Sequence, residues 1–400
     1  MLKQKFCNSL IIGEILAVTQ EFTKLRVFYI DNLRIYLIIL VFLHHITIAY
    51  GGSGGWILNE SSFYPIDGAT QILFTLFNAI NQSYFMAFFF LLAGYFTPRS
   101  FEKKGGSTYF KDRLIRLGIP IVAYVVFISP VTEFIVRIYA YRQSWTFEEV
   151  ILNRISTFTI GVDHLWFILA LLIFAGCYVL YRRIRSTCSP DSEKPFPRDT
   201  MIFASIIIIA GLTYVVRIFS PIGTVFIFNF QLAHFTSYVF MFGVGILAYY
   251  RKWFDKLGSA QAKRWISIAT CVVIALPLLL VVLVDLSALD ITPFFGGFTI
   301  ESLIFSFWES SALLSITIGI LYVFRTRLNR SNMILNNMSG SAYTAYIIHA
   351  IIIVGFQILL LPIVIPAFIK AIIVAIIAIP LIFGLSAIIR NILGFSRVLC

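Results

Sequence analysis

The chain has 400 residues, 59% of them hydrophobic and 12% charged, with a mean hydropathy of +0.90. That charged share is about half of what a soluble domain carries, so a soluble enzyme is excluded and a polytopic, all-α integral membrane protein is indicated. The net charge of +12 is explained by basic loops beside a membrane, without nucleic acid.

In chain order, residues 1–25 read as a cytoplasmic, partly amphipathic extension. Lys3 and Lys5 precede a short apolar run, but Glu14 interrupts it and no small-residue cleavage site follows, which argues against a signal peptide. About ten transmembrane helices are predicted, at 28–50, 70–97, 117–138, 165–181, 201–219, 232–250, 265–284, 299–324, 341–361 and 367–389. The second is long enough to be tilted or broken near Asn78 and Asn81. Residues 139–163 form a polar stretch, and 391–400 a cytoplasmic tail.

Loop charge predicts the orientation. The segments 99–116, 182–198, 251–264 and 325–330 hold most of the 31 Lys and Arg, whereas 51–69, 220–231 and 285–298 hold none. Basic loops stay in the cytoplasm, so both termini are expected inside, most simply in the plasma membrane. No internal repeat is visible, which argues against many secondary transporters. Asn59-Glu60-Ser61 is an acceptor-type sequon in an exterior loop. Cys7, Cys177, Cys188, Cys271 and Cys400 fall in no exterior segment and show no C-x-x-C spacing. Neither a disulfide framework nor a zinc site is expected.

The first span keeps four ionisable side chains, Asp31, Arg34, His44 and His45. Such groups are costly in a bilayer and mark functional sites by default. Eleven helical steps bring His45 to within roughly 20° of Arg34, about 16 Å further along the axis. His44 lies about 80° away and is the weaker candidate. A single membrane histidine would default to helix packing. The aligned Arg34 and the second histidine favour a general base instead, because imidazole titrates near neutrality. Asp31 is expected to form an ion pair with Arg34 within the helix.

Four further groups stand out. Arg113 and Arg116 share a face where the third span opens, which suits phosphate recognition. Arg99, Lys103 and Lys104 read as topology signal. His164 and Trp166 begin the fourth span, either as interface anchors or facing an acceptor. Glu309 lies deep in the eighth span. It could orient a histidine, bind sugar hydroxyls, pair with an arginine, or stand protonated as a structural group. Tyr346 and His349 share a face of the ninth span, in contact either with another helix or with substrate.

Taken together, these motifs resemble the membrane acyltransferase-3 family, and within it a glucan-biosynthesis branch. The resemblance covers roughly residues 26–390. It rests on I-D-x-L-R with His45 eleven residues after Arg34, the FFFLLAGYFTPRS and KDRLIRLGIP block, HLWF at 164–167, WES at 308–310 and AYTAYIIH at 342–349. It implies a ten-span domain that takes an acyl group, acetyl or succinyl, from cytoplasmic acyl-CoA to a carbohydrate hydroxyl outside. By motif, His45 would be the catalytic base and Arg34 its partner. Arg113 and Arg116 would lie near the CoA phosphates. Glu309 is placed in the catalytic set, and His164, Trp166, Tyr346 and His349 among the substrate-binding residues. Acyl-CoA is a co-substrate, and no tightly bound cofactor or metal is expected. No Ser or Cys has an evident paired base, which favours direct transfer over an acyl-enzyme. A transporter or flippase is the rival class, since buried ionisable residues also mark transport paths.

Overall fold

A computed structural model of the chain describes residues 27–157, 161–185, 193–283 and 291–392. The extension 1–25, the tail from residue 393, and Cys7, Cys188 and Cys400 lie outside the described residues. Among the described residues, ten helices are long and apolar enough to cross a membrane. No strand occurs among the described residues.

The helices are α1 (Phe28–Ala49), α2 (Gly68–Lys104), α3 (Gly106–Ala140), α4 (Phe147–Ser156), α5 (Trp166–Ile184), α6 (Asp199–Phe219), α7 (Phe235–Arg251), α8 (Ser259–Leu283), α9 (Ile300–Arg327), α10 (Met333–Leu360) and α11 (Ala367–Asn391). All but α4 are spans. The α9 helix lies at the centre: 72% of its apolar stretch is buried inside the protein, against 11% for α8 at the periphery. Around it α2 packs on α7, α10 on α11, and α1 on α2 and α10.

Between lipid-embedded helices the hydrophobic effect gives little drive, so close packing and polar contacts must hold the bundle. The α2–α7 crossing shows how the sequence provides this. Gly94 and Gly245 face each other there. A Cβ on either would run into the opposing backbone, the Phe242 carbonyl in one case and the Leu91 carbonyl in the other.

Of the two alternatives for α2, tilted or broken, the break does not occur: the helix is continuous over 37 residues. Asn78 and Asn81 act through their side chains instead. The Asn78 carbonyl oxygen accepts from Thr47 Oγ1 at 2.6 Å, and the Asn81 amide donates to the Leu40 carbonyl at 3.2 Å. Both tie α2 to α1 without opening the backbone.

The third span starts earlier than predicted, at Gly106, and is interrupted by wide π-turns at Leu114–Gly118, Tyr124–Ile128 and Val136–Ala140. Pro120 and Pro130 explain two of them. Proline cannot donate to the carbonyl four residues back and its ring crowds that group. The carbonyl so released by Pro120 is that of Arg116, and it accepts from Tyr343 Oη on α10 at 2.7 Å. Within the polar stretch 139–163, α4 opens on a capping box between Thr146 and Glu149. The Thr146 backbone N–H holds the Glu149 carboxyl below its ordinary range.

Candidate active site

The C-terminal end of α1 carries His44 and His45. Residues 51–67 fold over this end and are pinned from two sides. Lys370 on α11 pairs with Glu60 at 2.5 Å, and both side chains are almost completely buried. The Trp56 indole N–H donates to the Gln357 carbonyl oxygen on α10 at 2.9 Å, and the Gln357 amide donates to the Leu58 carbonyl at 2.8 Å. These contacts place the Trp56 ring flat on His45, with centroids 4.4 Å apart and planes 24° apart.

His45 also stacks on His349, at 5.3 Å and 20°, and the Trp56 and His349 rings themselves lie 6.4 Å apart. His349 Nδ1 lies 2.6 Å from the Tyr346 carbonyl. A carbonyl can only accept, so that nitrogen carries the proton and Nε2 is left with the lone pair. His164 meets the His349 ring edge-on at 4.6 Å, and the Tyr346 hydroxyl donates to the His164 carbonyl. His164, Tyr346 and His349 thus form one packed unit with His45. Trp166 stacks instead on Tyr238, at 5.5 Å and 23°.

The opposite wall is a buried charged group. Glu309 on α9 takes a charge-assisted hydrogen bond from the Arg217 guanidinium at the end of α6. Its other oxygen lies 3.3 Å from His234 Nδ1, in the turn that opens α7. Arg217 is 0% exposed and also reaches Ser306 Oγ at 3.4 Å. A buried carboxylate needs such partners. Of the roles open to Glu309, the structure shows two, pairing with an arginine and facing a histidine.

Between these walls lies a cavity of about 730 Å³, lined by His44, His45, His164, His234, Trp56, Trp166, Tyr238, Glu309 and Tyr346 among others. The chain contains five histidines. Four line this cavity, and the fifth, His349, is packed behind His45 and His164. His44 lies against Phe85, at 5.0 Å, and also reaches the cavity. The Nδ1 atoms of His44, His45 and His164, and Nε2 of His349, are buried without a hydrogen-bond partner among the described residues. No group of three or more His, Cys, Asp or Glu among the described residues is arranged to hold a metal ion. The cluster is suited to moving protons and binding hydroxyls.

Arg34 stands elsewhere. It lies 3.8 Å from Asp31, the expected ion pair. Together they line a separate cavity of about 280 Å³ with Arg99, Tyr95, Phe96 and Tyr249. Arg99, read from sequence as topology signal, is therefore the arginine that joins Arg34. Arg113 and Arg116 do not line that cavity. The Arg113 guanidinium sits over the Tyr109 ring at 5.2 Å, and the Arg116 carbonyl anchors Tyr343.

The sequence reading passed over His234, Arg217 and Trp56. His234 carried a signal, since it opens a span just as His164 does. Arg217 is the lone basic residue of α6, in its last turn. Trp56 sits in a Gly- and Ser-rich loop with nothing local to mark its partner.

Residues 27–390 match the acyltransferase-3 profile, described as an acyltransferase domain. Curated relatives include glucans biosynthesis protein C of Escherichia coli strain K12, 27% identical over 234 residues, which cover 56% of this chain and 58% of the relative. The protein of the same name from the O1:K1 / APEC strain matches to the same extent. The chain thus spans little more than half the length of the curated relatives it matches. No solved structure matches.

Proposed function

The chain belongs to the acyltransferase-3 family, and from that premise we propose that it is a multi-pass plasma-membrane O-acyltransferase moving an acetyl or succinyl group from cytoplasmic acyl-CoA to a carbohydrate hydroxyl outside, a glucan being the first acceptor to try. The observation that carries this reading is the gathering of all five histidines at one cavity. A cluster of imidazoles beside a buried carboxylate suits general acid–base work on a hydroxyl.

Basic-loop orientation puts the end of α1 bearing Arg34 in the cytoplasm and the His45 end toward the exterior. Arg34 and Arg99 receive the CoA phosphates, for which guanidinium groups are suited. The pantetheine arm carries the thioester along α1 to the cavity. His45 takes the proton of the acceptor hydroxyl as its oxygen bonds to the thioester carbonyl carbon. Collapse of the tetrahedral adduct breaks the C–S bond, and the imidazolium returns the proton to the leaving thiolate. Glu309, held by Arg217, accepts His234 Nδ1–H and leaves His234 Nε2 free to receive a second sugar hydroxyl. Trp56 and His349 hold the His45 ring in place.

The test uses proteoliposomes with labelled acetyl- or succinyl-CoA on one side and glucan on the other. Label in the glucan that disappears with His45→Ala supports the reading. Full transfer by His45→Ala removes His45 from the mechanism. Movement of glucan without acyl-CoA consumption would favour the rival transporter.

A further inference from the structure

A second chamber adjoins the main cavity. It has a volume of about 390 Å³ and touches the first through Ile57 and Asp163, which line both. Its size falls within the range of small-molecule sites, which begins at roughly 300 Å³. Three features mark it as more than a packing gap.

The first is an incomplete arginine. Arg154 on α4 is 7% exposed and gives one nitrogen to Glu133 on α3 at 2.8 Å. Its other terminal nitrogen is buried with no partner among the described residues. A buried guanidinium N–H left unpaired is costly, so such a group calls for an oxygen to complete it. The second is the charge balance. Glu133 is shared by Arg154 and Arg137, the latter through two bonds of 2.9 and 2.7 Å. Asp163 supplies a compensating negative charge and accepts from Tyr124 at 3.1 Å and Ser129 at 2.8 Å. The wall is thus rich in donors and acceptors with no excess of either sign. The third is the backbone. Asp163 stands at φ 43°, a left-handed conformation uncommon outside glycine. It directly precedes His164 in the histidine cluster. The π-turns of α3 fall beside the residues that line this chamber, and such turns are frequent at functional sites.

We infer that this chamber binds a neutral sugar unit of the acceptor, adjacent in the chain to the unit whose hydroxyl lies beside His45. The inference rests on the acyltransferase reading for the identity of the acceptor. A neutral polyol fits because its hydroxyls both donate and accept, and the balanced wall offers no preference for an anion. Arg154 donates to a ring or hydroxyl oxygen of this second unit. The protein therefore prefers oligosaccharides to single sugars.

The test is direct binding to full-length protein in nanodiscs by calorimetry. The probes are glucose and a panel of α- and β-linked gluco-tetrasaccharides. At least one tetrasaccharide is expected to bind roughly tenfold or more tightly than glucose, the scale of one charge-assisted hydrogen bond. Arg154→Lys keeps a cation for Glu133 and removes the second guanidinium nitrogen, so it is the informative variant if Arg154→Gln folds poorly. It is expected to abolish the tetrasaccharide-to-glucose preference. Ile57→Trp, which narrows the junction, is expected to do the same from the other side. Equal affinity for glucose and every tetrasaccharide, or a preference unchanged in Arg154→Lys, overturns the inference. Tighter binding of a glucuronic-acid oligosaccharide than of the neutral one overturns the neutral assignment. Acyl-CoA binding, measured in parallel on the same samples, separates the two readings. Its absence beside an Arg154-dependent sugar preference would refute the donor assignment and leave the sugar site standing.

Discussion

The two ends of α1 differ in kind. At one end Arg34 keeps 44% of its side chain exposed and shares a small cavity with Arg99. At the other, His45 stacks with Trp56 and His349, three rings in mutual contact, and His349 and Arg217 are 0% exposed. An exposed guanidinium remains charged and adaptable, and can meet a hydrated phosphate at little cost. The His45 imidazole is half-buried, held by stacking, and opens on the main cavity. One helix thus presents Arg34 and His45 about 16 Å apart, each at its own cavity. The lesson is that the Arg34–His45 spacing sets a distance between two cavities rather than a contact.

That contrast can be broken most severely at His45. His45→Ala is expected to lower acyl transfer by roughly 10²- to 10⁴-fold, with unchanged expression and an unchanged apparent KM for acyl-CoA. A large rise in that KM with kcat preserved would place His45 in donor binding and dissolve the distinction. The next effect concerns stability. Arg217→Met leaves Glu309 buried without its guanidinium, and removing one partner of such a pair costs about 3–5 kcal/mol. A lower melting temperature in detergent is expected, with partial recovery in the Arg217→Met/Glu309→Leu double variant. An unshifted melting temperature would show that the pair does not hold the wall.

At the opposite end the effects should be smaller and of another type. Arg34→Ala and Arg99→Ala are each expected to raise the KM for acyl-CoA roughly tenfold, as loss of a charge-assisted bond would. Their kcat should change little, and the salt dependence of KM should weaken. A fall in kcat alone would assign Arg34 to the chemical step. The smallest change is at the Trp56 support. Gln357→Leu removes two neutral hydrogen bonds, to Trp56 and to Leu58, each worth about 1 kcal/mol. A several-fold loss in kcat without a donor KM effect is expected from steady-state rates.

Much of the architecture was legible in advance. Hydropathy and length located the ten spans, because a helix that crosses lipid must announce itself by an uninterrupted apolar run. The exceptions were local. The length of the second span read as a tilt or a break near Asn78 and Asn81, but the helix is continuous there and both amides bond to α1. Part of the site was legible as well. Arg34, His45, Glu309 and His349 stood out because ionisable groups are rare in apolar segments. Arg99 was discounted because a cytoplasmic-side arginine is expected from topology alone, and Arg113 and Arg116 were favoured by a helical spacing that says nothing about which cavity they face.

The sequence by itself determined a helical membrane protein, its span count, and most of the residues able to carry charge or protons within it. Composition and periodicity report on transfer into lipid and on faces of single helices, and those depend on near neighbours in the chain. Tertiary structure alone decided the partnerships. Glu309 meets Arg217 and His234 across three elements, Trp56 reaches Gln357 over 301 positions, and Arg154 meets Glu133 beside Asp163. Such contacts form because buried polar groups must find partners wherever packing brings them, and no local pattern encodes which partner that will be.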